Sequence, residues 1–99
     1  GIAQILPLIT RNPARRMGLQ NKGDLRPGAD ADIAVVDLNQ SWVVERAGLA
    51  TDAQSSVYEG ETMTAKVIHT LSRGQFALRD AALCDSSIGQ GRFVKRQMG

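Results

Sequence analysis

Residues 26–37 read Arg-Pro-Gly-Ala-Asp-Ala-Asp-Ile-Ala-Val-Val-Asp, and this stretch decides the fold of the 99-residue chain. Pro27 presets one turn dihedral and Gly28 supplies a positive one, which is the pattern of a type II turn. The apolar run that follows, residues 33–36, predicts a β-strand. Because this run is apolar on both faces, we expect the strand to be central in its sheet or covered on both sides.

The residues before this turn predict two short helices. Apolar residues recur at helical spacing at Ile2, Ile5, Leu6 and Ile9. Pro7 is expected near a first turn or at a kink of this segment. Asn12 is suited to cap a second helix whose first position is Pro13, where a missing amide donor costs nothing. Gly18 is placed to end that helix in a left-handed conformation.

The residues after the first strand predict three more strands. Residues 42–44 follow a polar turn and are expected to form a shorter partner of the first strand. Residues 46–63 show no sustained period and are expected to form a long connection. Two further runs, residues 65–72 and 75–80, flank Arg73-Gly74 as a β-hairpin would. The sequence therefore predicts an α+β fold, with short N-terminal helices followed by about four mainly antiparallel strands.

Composition suits one compact domain, or a part of one, with a modest core. Hydrophobic residues make up 42% of the chain and aromatic residues only 4%. The net charge is +2, and acidic residues are interleaved with basic ones, so we expect no nucleic-acid partner. No apolar run reaches the roughly 18 to 20 residues that cross a bilayer, and no signal peptide is recognisable. We expect no membrane partner and a cytoplasmic location. The chain opens on Gly1 rather than Met, which suggests an excised segment.

Few residues carry candidate chemistry. Asp30, Asp32 and Asp37 are the nearest thing to a carboxylate constellation, but around a turn and a strand start such residues commonly bond local backbone amides. His69 and Cys84 are the one histidine and the one cysteine, and they lack the further ligands that a zinc site needs. We therefore predict no catalytic residue, no cofactor-binding residue, no metal ligand and no cofactor in this chain.

Six stretches carry a resemblance to a known family. They are residues 12–15 (Asn-Pro-Ala-Arg), Lys22-Gly23, residues 27–37, residues 57–60 (Val-Tyr-Glu-Gly), residues 71–74 (Leu-Ser-Arg-Gly) and residues 89–96 (Gly-Gln-Gly-Arg-Phe-Val-Lys-Arg). Through them the chain resembles the C-terminal region of the cyclic amidohydrolases, which open hydantoin, dihydropyrimidine and allantoin rings. The dihydropyrimidinase and hydantoinase branch is the most similar, with dihydroorotase and allantoinase close behind. The family has Asp-Gly where this chain has Asp80-Ala81, and a glycine near Thr64-Ala65, which leaves the local turn geometry open.

The resemblance implies a parent enzyme with a (β/α)8 barrel and a small β-sandwich. In such an enzyme a metal-bound hydroxide attacks the ring amide carbonyl. Histidines, an aspartate and a carboxylated lysine hold its divalent metal pair, for which zinc is our first expectation, and none of those motifs is present here. On this resemblance residues 1–19 come from the helical end of the barrel. Residues 20–84 are then sandwich strands with a long loop at 46–63, and residues 85–99 are an extended tail.

Two functions follow, from different classes. The first is a non-catalytic C-terminal fragment of a metal-dependent cyclic amidohydrolase. Its expected partner is the rest of the parent chain, and a second copy in a homo-oligomer is the other partner we consider. The second is a stand-alone β-rich interaction or oligomerisation module with no catalysis. An upstream barrel with His-x-His favours the first, and a start codon near Gly1 favours the second. A third class, a small basic nucleic-acid binder, would show affinity that falls steeply with salt.

Overall fold

A computed structural model describes residues 1–45, 47 and 56–96 of the chain. Two α-helices come first, α1 (Ile2–Ile9) and α2 (Arg11–Arg16). The strands follow as β1 (Ile33–Asp37), β2 (Trp42–Val43), β3 (Thr62–Met63), β4 (Lys66–Ser72), β5 (Gln75–Arg79) and β6 (Ala82–Leu83), and a 3₁₀ turn spans Asp85–Ser87. The predicted α+β fold is confirmed. Over the described part of the chain, no helix has both the length and the apolar character needed to span a bilayer.

The second helix begins two residues before its predicted start. Thr10 occupies the N-cap of α2, so the prediction of Asn12 as the cap was wrong, and Pro13 lies at the third helical position. The amides of the first helical turn have no partner within the helix, so a proline at that position breaks no hydrogen bond. α1 continues through Pro7 to Ile9.

Gly18 ends α2 as predicted, with φ of 73°. Its amide donates to the carbonyl of Arg15 at 3.1 Å, and the amide of Leu19 donates to the carbonyl of Ala14 at 2.8 Å. These two bonds form the Schellman motif, which satisfies carbonyls that the helix end would leave without a partner. The chain then turns back onto α2, which brings Gly23 against Ala14.

The predicted type II turn at residues 26–29 is also present. The amide of Ala29 donates to the carbonyl of Arg26 at 3.1 Å, and Gly28 has φ of 90°. After this turn β1 pairs with β4, β4 with β5, and β5 with β6, all antiparallel. β1 therefore lies at an edge of this sheet, and Val35 and Val36 are exposed. The expectation of a central or covered strand was wrong for the described residues, because none of them covers these two side chains.

β2 pairs with β3 in a separate two-stranded sheet, and not with β1 as predicted. The side chain of Trp42 explains this choice, because its indole Nε1 donates to the carbonyl of Ala65 at 2.7 Å and so draws β2 toward the entry of β4. β3 falls inside the predicted connection 46–63, which is therefore shorter than expected at its C-terminal end. Residues 46 and 48–55 of that connection lie outside the described residues.

Two tight turns join β4, β5 and β6. Arg73 and Gly74 both have positive φ, 48° and 82°, which is the type I′ geometry of a two-residue hairpin and confirms the predicted turn. Asp80 and Ala81 also have positive φ, 49° and 63°. The turn therefore has the left-handed geometry that favours glycine, although its second residue is alanine. The tail was predicted to be extended from residue 85 onward, but its first three residues, Asp85–Ser87, form a 3₁₀ turn.

We expect Ala81→Gly to stabilise the chain by about 0.5–1 kcal/mol. A left-handed alanine costs about 1–2 kcal/mol, and the extra freedom of glycine in the unfolded chain offsets part of the gain. Ala82→Gly, one residue later in β6, is the matched control and should destabilise the chain slightly, because glycine weakens a strand. The midpoints of thermal unfolding test both changes. An unchanged or lower midpoint for Ala81→Gly would show that the turn is not strained.

The described residues form very little core. Among them, only Ala14 and Val44 are buried hydrophobic residues. The accessible surface is 8014 Å², whereas a compact protein of 10.7 kDa would expose roughly 5500 Å². The excess is therefore roughly 2500 Å². Ile2, Ile5, Leu8 and Ile9 of α1 and Phe93 of the tail are among the exposed large side chains.

Candidate functional site

Two of the three predicted carboxylates meet around one lysine that follows α2. The Nζ atom of Lys22 lies 3.0 Å from Oδ2 of Asp30 and 2.5 Å from Oδ2 of Asp32. The amide of Asp30 donates to the carbonyl of Asn21 at 2.9 Å, which fastens the lysine loop to the entry of β1. We call Lys22, Asp30 and Asp32 the lysine–carboxylate cluster. A shared cation between them offsets the repulsion of two neighbouring carboxylates.

Asp32 also holds the turn of the β4–β5 hairpin. Its Oδ1 accepts a hydrogen bond from the amide of Arg73 at 2.8 Å. Beside it, the carbonyl of Ala31 accepts from the amide of Gly74 at 2.9 Å. One carboxylate oxygen thus faces Lys22 and the other faces the hairpin turn. Asp32 therefore connects the Lys22 loop to a hairpin turn that lies 41 positions after Asp32 in the sequence.

The cluster shifts the pKa values of Lys22 and Asp32. The pKa of Lys22 is raised, chiefly by its hydrogen bond to Asp32, although burial acts against this. For Asp32, burial is the largest single effect and raises the pKa. The hydrogen bonds from Lys22 and from the Arg73 amide, together with the positive charges of these two residues, outweigh burial, so the pKa is lowered. A general acid needs a raised pKa, so the arrangement favours a permanent ion pair over proton transfer.

Asp37, the third predicted carboxylate, does not join the cluster. Its Oδ1 accepts from the amide of Asn39 at 2.9 Å and so closes the turn after β1. This is the local backbone contact typical of aspartate at turns.

His69 lies in β4, and Cys84 directly follows β6. In β4, His69 Nδ1 accepts from the amide of Asp80 at 3.1 Å, and its Nε2 is 3.7 Å from Asp80 Oδ1. Its ring meets Phe76 edge-on at 5.9 Å. Cys84 is half-buried after β6. Across the described residues, no three side chains of His, Cys, Asp or Glu lie close enough to hold a metal ion.

A shallow cavity of about 250 Å³ adjoins the cluster. Its lining consists of Arg15, Gly18, Leu19, Gln20, Lys22, Asp24 and Arg26. Arg26 donates to the carbonyl of Gln20 at 2.5 Å and lies 3.9 Å from Asp24. Lys22 is engaged by the cluster. Of the three cationic side chains in the lining, Lys22 and Arg26 are therefore engaged in contacts within the chain. The lining does not define a binding site for an anion.

The residue pattern alone does not identify Lys22 and Arg73 as partners of Asp32. A signal was available, because Lys22-Gly23 and Ser72-Arg73-Gly74 are among the stretches that resemble the cyclic amidohydrolases. The contacts of Asp32 bring both of these stretches to the start of β1.

Comparison with known proteins supports the same group of enzymes. Residues 2–78 match the amidohydrolase family. The D-phenylhydantoinase of Escherichia coli O1:K1 is 34% identical over 97 residues, which are 97% of this chain and 21% of that enzyme. The D-phenylhydantoinase of Escherichia coli O127:H6 is 35% identical over 95 residues, 95% of this chain and 20% of that enzyme. The chain thus spans about a fifth of the length of the curated relatives it matches.

Solved structures show the same fold. The dihydropyrimidinase of Brevibacillus agri NCHU1002 superposes with a TM-score of 0.78 at 25% identity, covering 84% of this chain and 18% of that enzyme. The L-hydantoinase (dihydropyrimidinase) of Arthrobacter aurescens gives a TM-score of 0.78 at 22% identity over 85% of this chain and 19% of that enzyme, which supports the fold alone. The match over residues 2–78 covers most of the chain, and the chain therefore belongs to the amidohydrolase family.

Proposed function

We propose that this chain is the non-catalytic C-terminal part of a cyclic amidohydrolase of the hydantoinase and dihydropyrimidinase type. The complete enzyme would hydrolyse a ring amide C–N bond in a hydantoin or dihydropyrimidine, with dihydroorotate or allantoin as further candidates. The role of this chain would be to complete the scaffold. We place the enzyme in the cytoplasm as part of the same proposal.

One observation carries this proposal: the contacts of Asp32 are all structural. Its two oxygens face Lys22 and the amide of Arg73, so neither is directed at a substrate. Asp37 is engaged by the turn after β1. The carboxylates of the best candidate site are thus used to fasten segments of the fold.

The described residues do not fit the metal pair that the family implies, because they bring no three ligating side chains together. No catalytic step is therefore assigned to this chain. In our proposal the divalent metal, with zinc the first candidate, belongs to the preceding part of the enzyme. Residues 1–19 would then be the end of the barrel, residues 20–84 strands of the sandwich, and residues 85–99 a tail.

The test is an assay of the purified chain with hydantoin, dihydrouracil, dihydroorotate and allantoin. We expect no ring opening and no stoichiometric zinc by elemental analysis, because a metal-activated water needs a ligand set. A polypeptide that joins this chain to a complete upstream barrel is the positive control. Ring opening by the chain alone after removal of contaminating hydrolases, or one tightly bound zinc per chain, would contradict the proposal.

The exposed apolar surface supports an alternative, a stand-alone interaction module. Such a module would form an oligomer of one discrete size through these surfaces, since edges and apolar patches recruit partners. Sedimentation of the purified chain distinguishes the two functions. A discrete oligomer with even protection of its amides against hydrogen exchange would favour the module.

A further inference from the structure

The turn that joins β5 to β6 is fastened to β4 by both of its central amides. The amide of Ala81 donates to the carbonyl of Ile68 at 2.9 Å, which is an ordinary backbone bond. The amide of Asp80 donates at 3.1 Å to a side chain, at the Nδ1 atom of His69. One of the two bonds that hold the turn to β4 therefore depends on an imidazole nitrogen.

This bond fixes the protonation state of His69. A backbone amide is always a donor, so Nδ1 must keep its lone pair, and the proton of the neutral ring lies on Nε2. That Nε2 atom is 3.7 Å from Oδ1 of Asp80. In the imidazolium form both ring nitrogens are donors, and Nδ1 would present a proton to the Asp80 amide. The bond between the turn and β4 therefore requires a neutral imidazole.

The groups around His69 compensate little for its protonation. The Asp80 carboxylate faces the ring, but its side chain is 85% exposed, and an ion pair so exposed contributes little. From β5, the Phe76 ring meets the imidazole edge-on at 5.9 Å, and Cζ of Arg79 lies 4.7 Å from the centroid of Phe76. Val35, opposite His69 on β1, carries no charge. Protonation would therefore remove an acceptor and add a second cation beside Phe76.

The turn needs both bonds because its backbone conformation is unfavourable. Asp80 and Ala81 have φ of 49° and 63°, a region that residues with a side chain rarely adopt. The strand that follows, β6, spans two residues. One further bond runs from the amide of Cys84 to the carbonyl of Ala77 at 2.9 Å. Because β6 is so short, its place on the sheet depends on the turn that precedes it.

We propose that His69 is a proton-sensitive clamp on this turn. The neutral ring holds the Asp80–Ala81 turn to β4, and protonation at Nδ1 releases the Asp80 amide and loosens β6 from β5. The segment set free begins at β6 and includes the 3₁₀ turn Asp85–Ser87. Histidine is the side chain whose charge ordinarily changes between about pH 5 and pH 8, which sets the range for a test. The clamp uses β4, β5 and β6 and does not depend on the proposed function.

The experiment measures amide exchange with water by NMR in the purified 99-residue chain across that pH range. The Cε1–H signal of His69, the one histidine, reports the state of the ring. After correction for the intrinsic pH dependence of exchange, protection of the Asp80 and Cys84 amides should fall about three- to tenfold as the ring is protonated, as expected for loss of one hydrogen bond. The Gly74 amide, which donates to the carbonyl of Ala31 in the turn at the other end of β5, is the internal control and should keep its protection.

Three substitutions separate the acceptor from the charges. His69→Asn keeps an oxygen acceptor near the place of Nδ1 and cannot titrate, so protection of the Asp80 amide should stay high across the range. His69→Phe keeps a ring beside Phe76 but has no acceptor, so protection should be low throughout. Asp80→Asn removes the carboxylate and should leave the response to pH in place.

Any of four results would overturn the clamp. The first is unchanged protection of the Asp80 or the Cys84 amide while the His69 ring is protonated. The second is an equal loss at the Gly74 amide, which would indicate general loosening in acid. The third is a response to pH in His69→Asn as large as in the unaltered chain. The fourth is disappearance of the response in Asp80→Asn, which would assign it to the carboxylate.

Discussion

Gly23→Ala should destabilise the chain by about 3 kcal/mol, which is the largest effect we expect from a single methyl group. A Cβ atom on Gly23 would lie 2.8 Å from the Cβ of Ala14 and 2.8 Å from the carbonyl oxygen of Thr10. It would also lie 3.1 Å from the Cα of Arg11. Two of these three atoms belong to the backbone and cannot move aside by rotating a side chain. The methyl group therefore forces the lysine loop away from α2.

Two physical terms contribute to this cost. Gly23 has φ of 86°, where an alanine costs about 1–2 kcal/mol. Overpacking against Ala14 adds about 1–3 kcal/mol. Ala14 is one of the few buried residues in the described part of the chain, so the clash affects the contact between α2 and the loop directly.

Gly28→Ala separates the two terms. Gly28 has nearly the same backbone conformation, with φ of 90°, but an added Cβ there meets no atom within 4 Å. We expect this control to cost only about 1–2 kcal/mol. Urea unfolding followed by circular dichroism measures both changes. Equal costs for the two substitutions would show that Gly23 does not pack closely on α2.

The turns of this fold could be predicted from the sequence because their chemistry is local. Pro27-Gly28 and Arg73-Gly74 set dihedrals through the residues themselves, and both turns occur where they were expected. Gly18 likewise ends α2, since a left-handed helix end favours glycine. In each case the residues that determine the conformation are at most a few positions apart.

Errors arose where several local partners compete or where distant residues decide. Asn12 was expected to cap α2, but Thr10 occupies the N-cap, and its hydroxyl donates to the carbonyl of Leu6 at 2.6 Å and makes no capping hydrogen bond. The pairing of β2 with β3 depends on the contact between Trp42 and the carbonyl of Ala65, 23 positions away. No periodicity within residues 42–44 carries that information.

The candidate site illustrates the same limit. The pattern around Asp30 and Asp32 indicated a structural role, and their contacts support it. Residue spacing did not identify the partners, because Lys22 lies 10 positions before Asp32 and Arg73 lies 41 positions after it. Only the folded chain brings them to one carboxylate.

Asp32→Ala is the second substitution with a large expected effect, a destabilisation of about 1–2 kcal/mol. It removes the acceptor of the Arg73 amide and the nearer partner of Lys22 at once. Hydrogen bonds that involve a charged group contribute about 1.5–3 kcal/mol. We expect less than that upper value, because the Asp32 side chain is 37% exposed and water screens the pair.

Two control variants resolve the contributions. Asp30→Ala loses only the 3.0 Å ion pair with Lys22 and should cost less than about 1 kcal/mol. Asp32→Asn keeps an oxygen acceptor for the Arg73 amide but loses the charge, so it should fall between the other two. If Asp30→Ala and Asp32→Ala cost the same, the hairpin contact contributes nothing.

The pH dependence of stability gives an independent test of Asp32. Its pKa in the folded chain is lowered below the usual value of 3.8, so its contribution is present above that value and is lost as the pH falls through the lowered pKa. Lys22 behaves in the opposite sense. Its pKa is raised above 10.5, so its contribution is present below that value and is lost as the pH rises through the raised pKa.

Asp32→Asn cannot titrate, so the difference in stability between the unaltered chain and this variant should shrink between about pH 5 and about pH 2. Urea midpoints measured across that range for both proteins test this directly. Asp30→Asn keeps Asp32 and its lowered pKa, and it should retain most of the acid dependence of the unaltered chain. A constant difference between the unaltered chain and Asp32→Asn across the acid range would mean that the charge of Asp32 does not hold the lysine loop to the hairpin. The 2.8 Å bond to the Arg73 amide would then be the whole of its contribution.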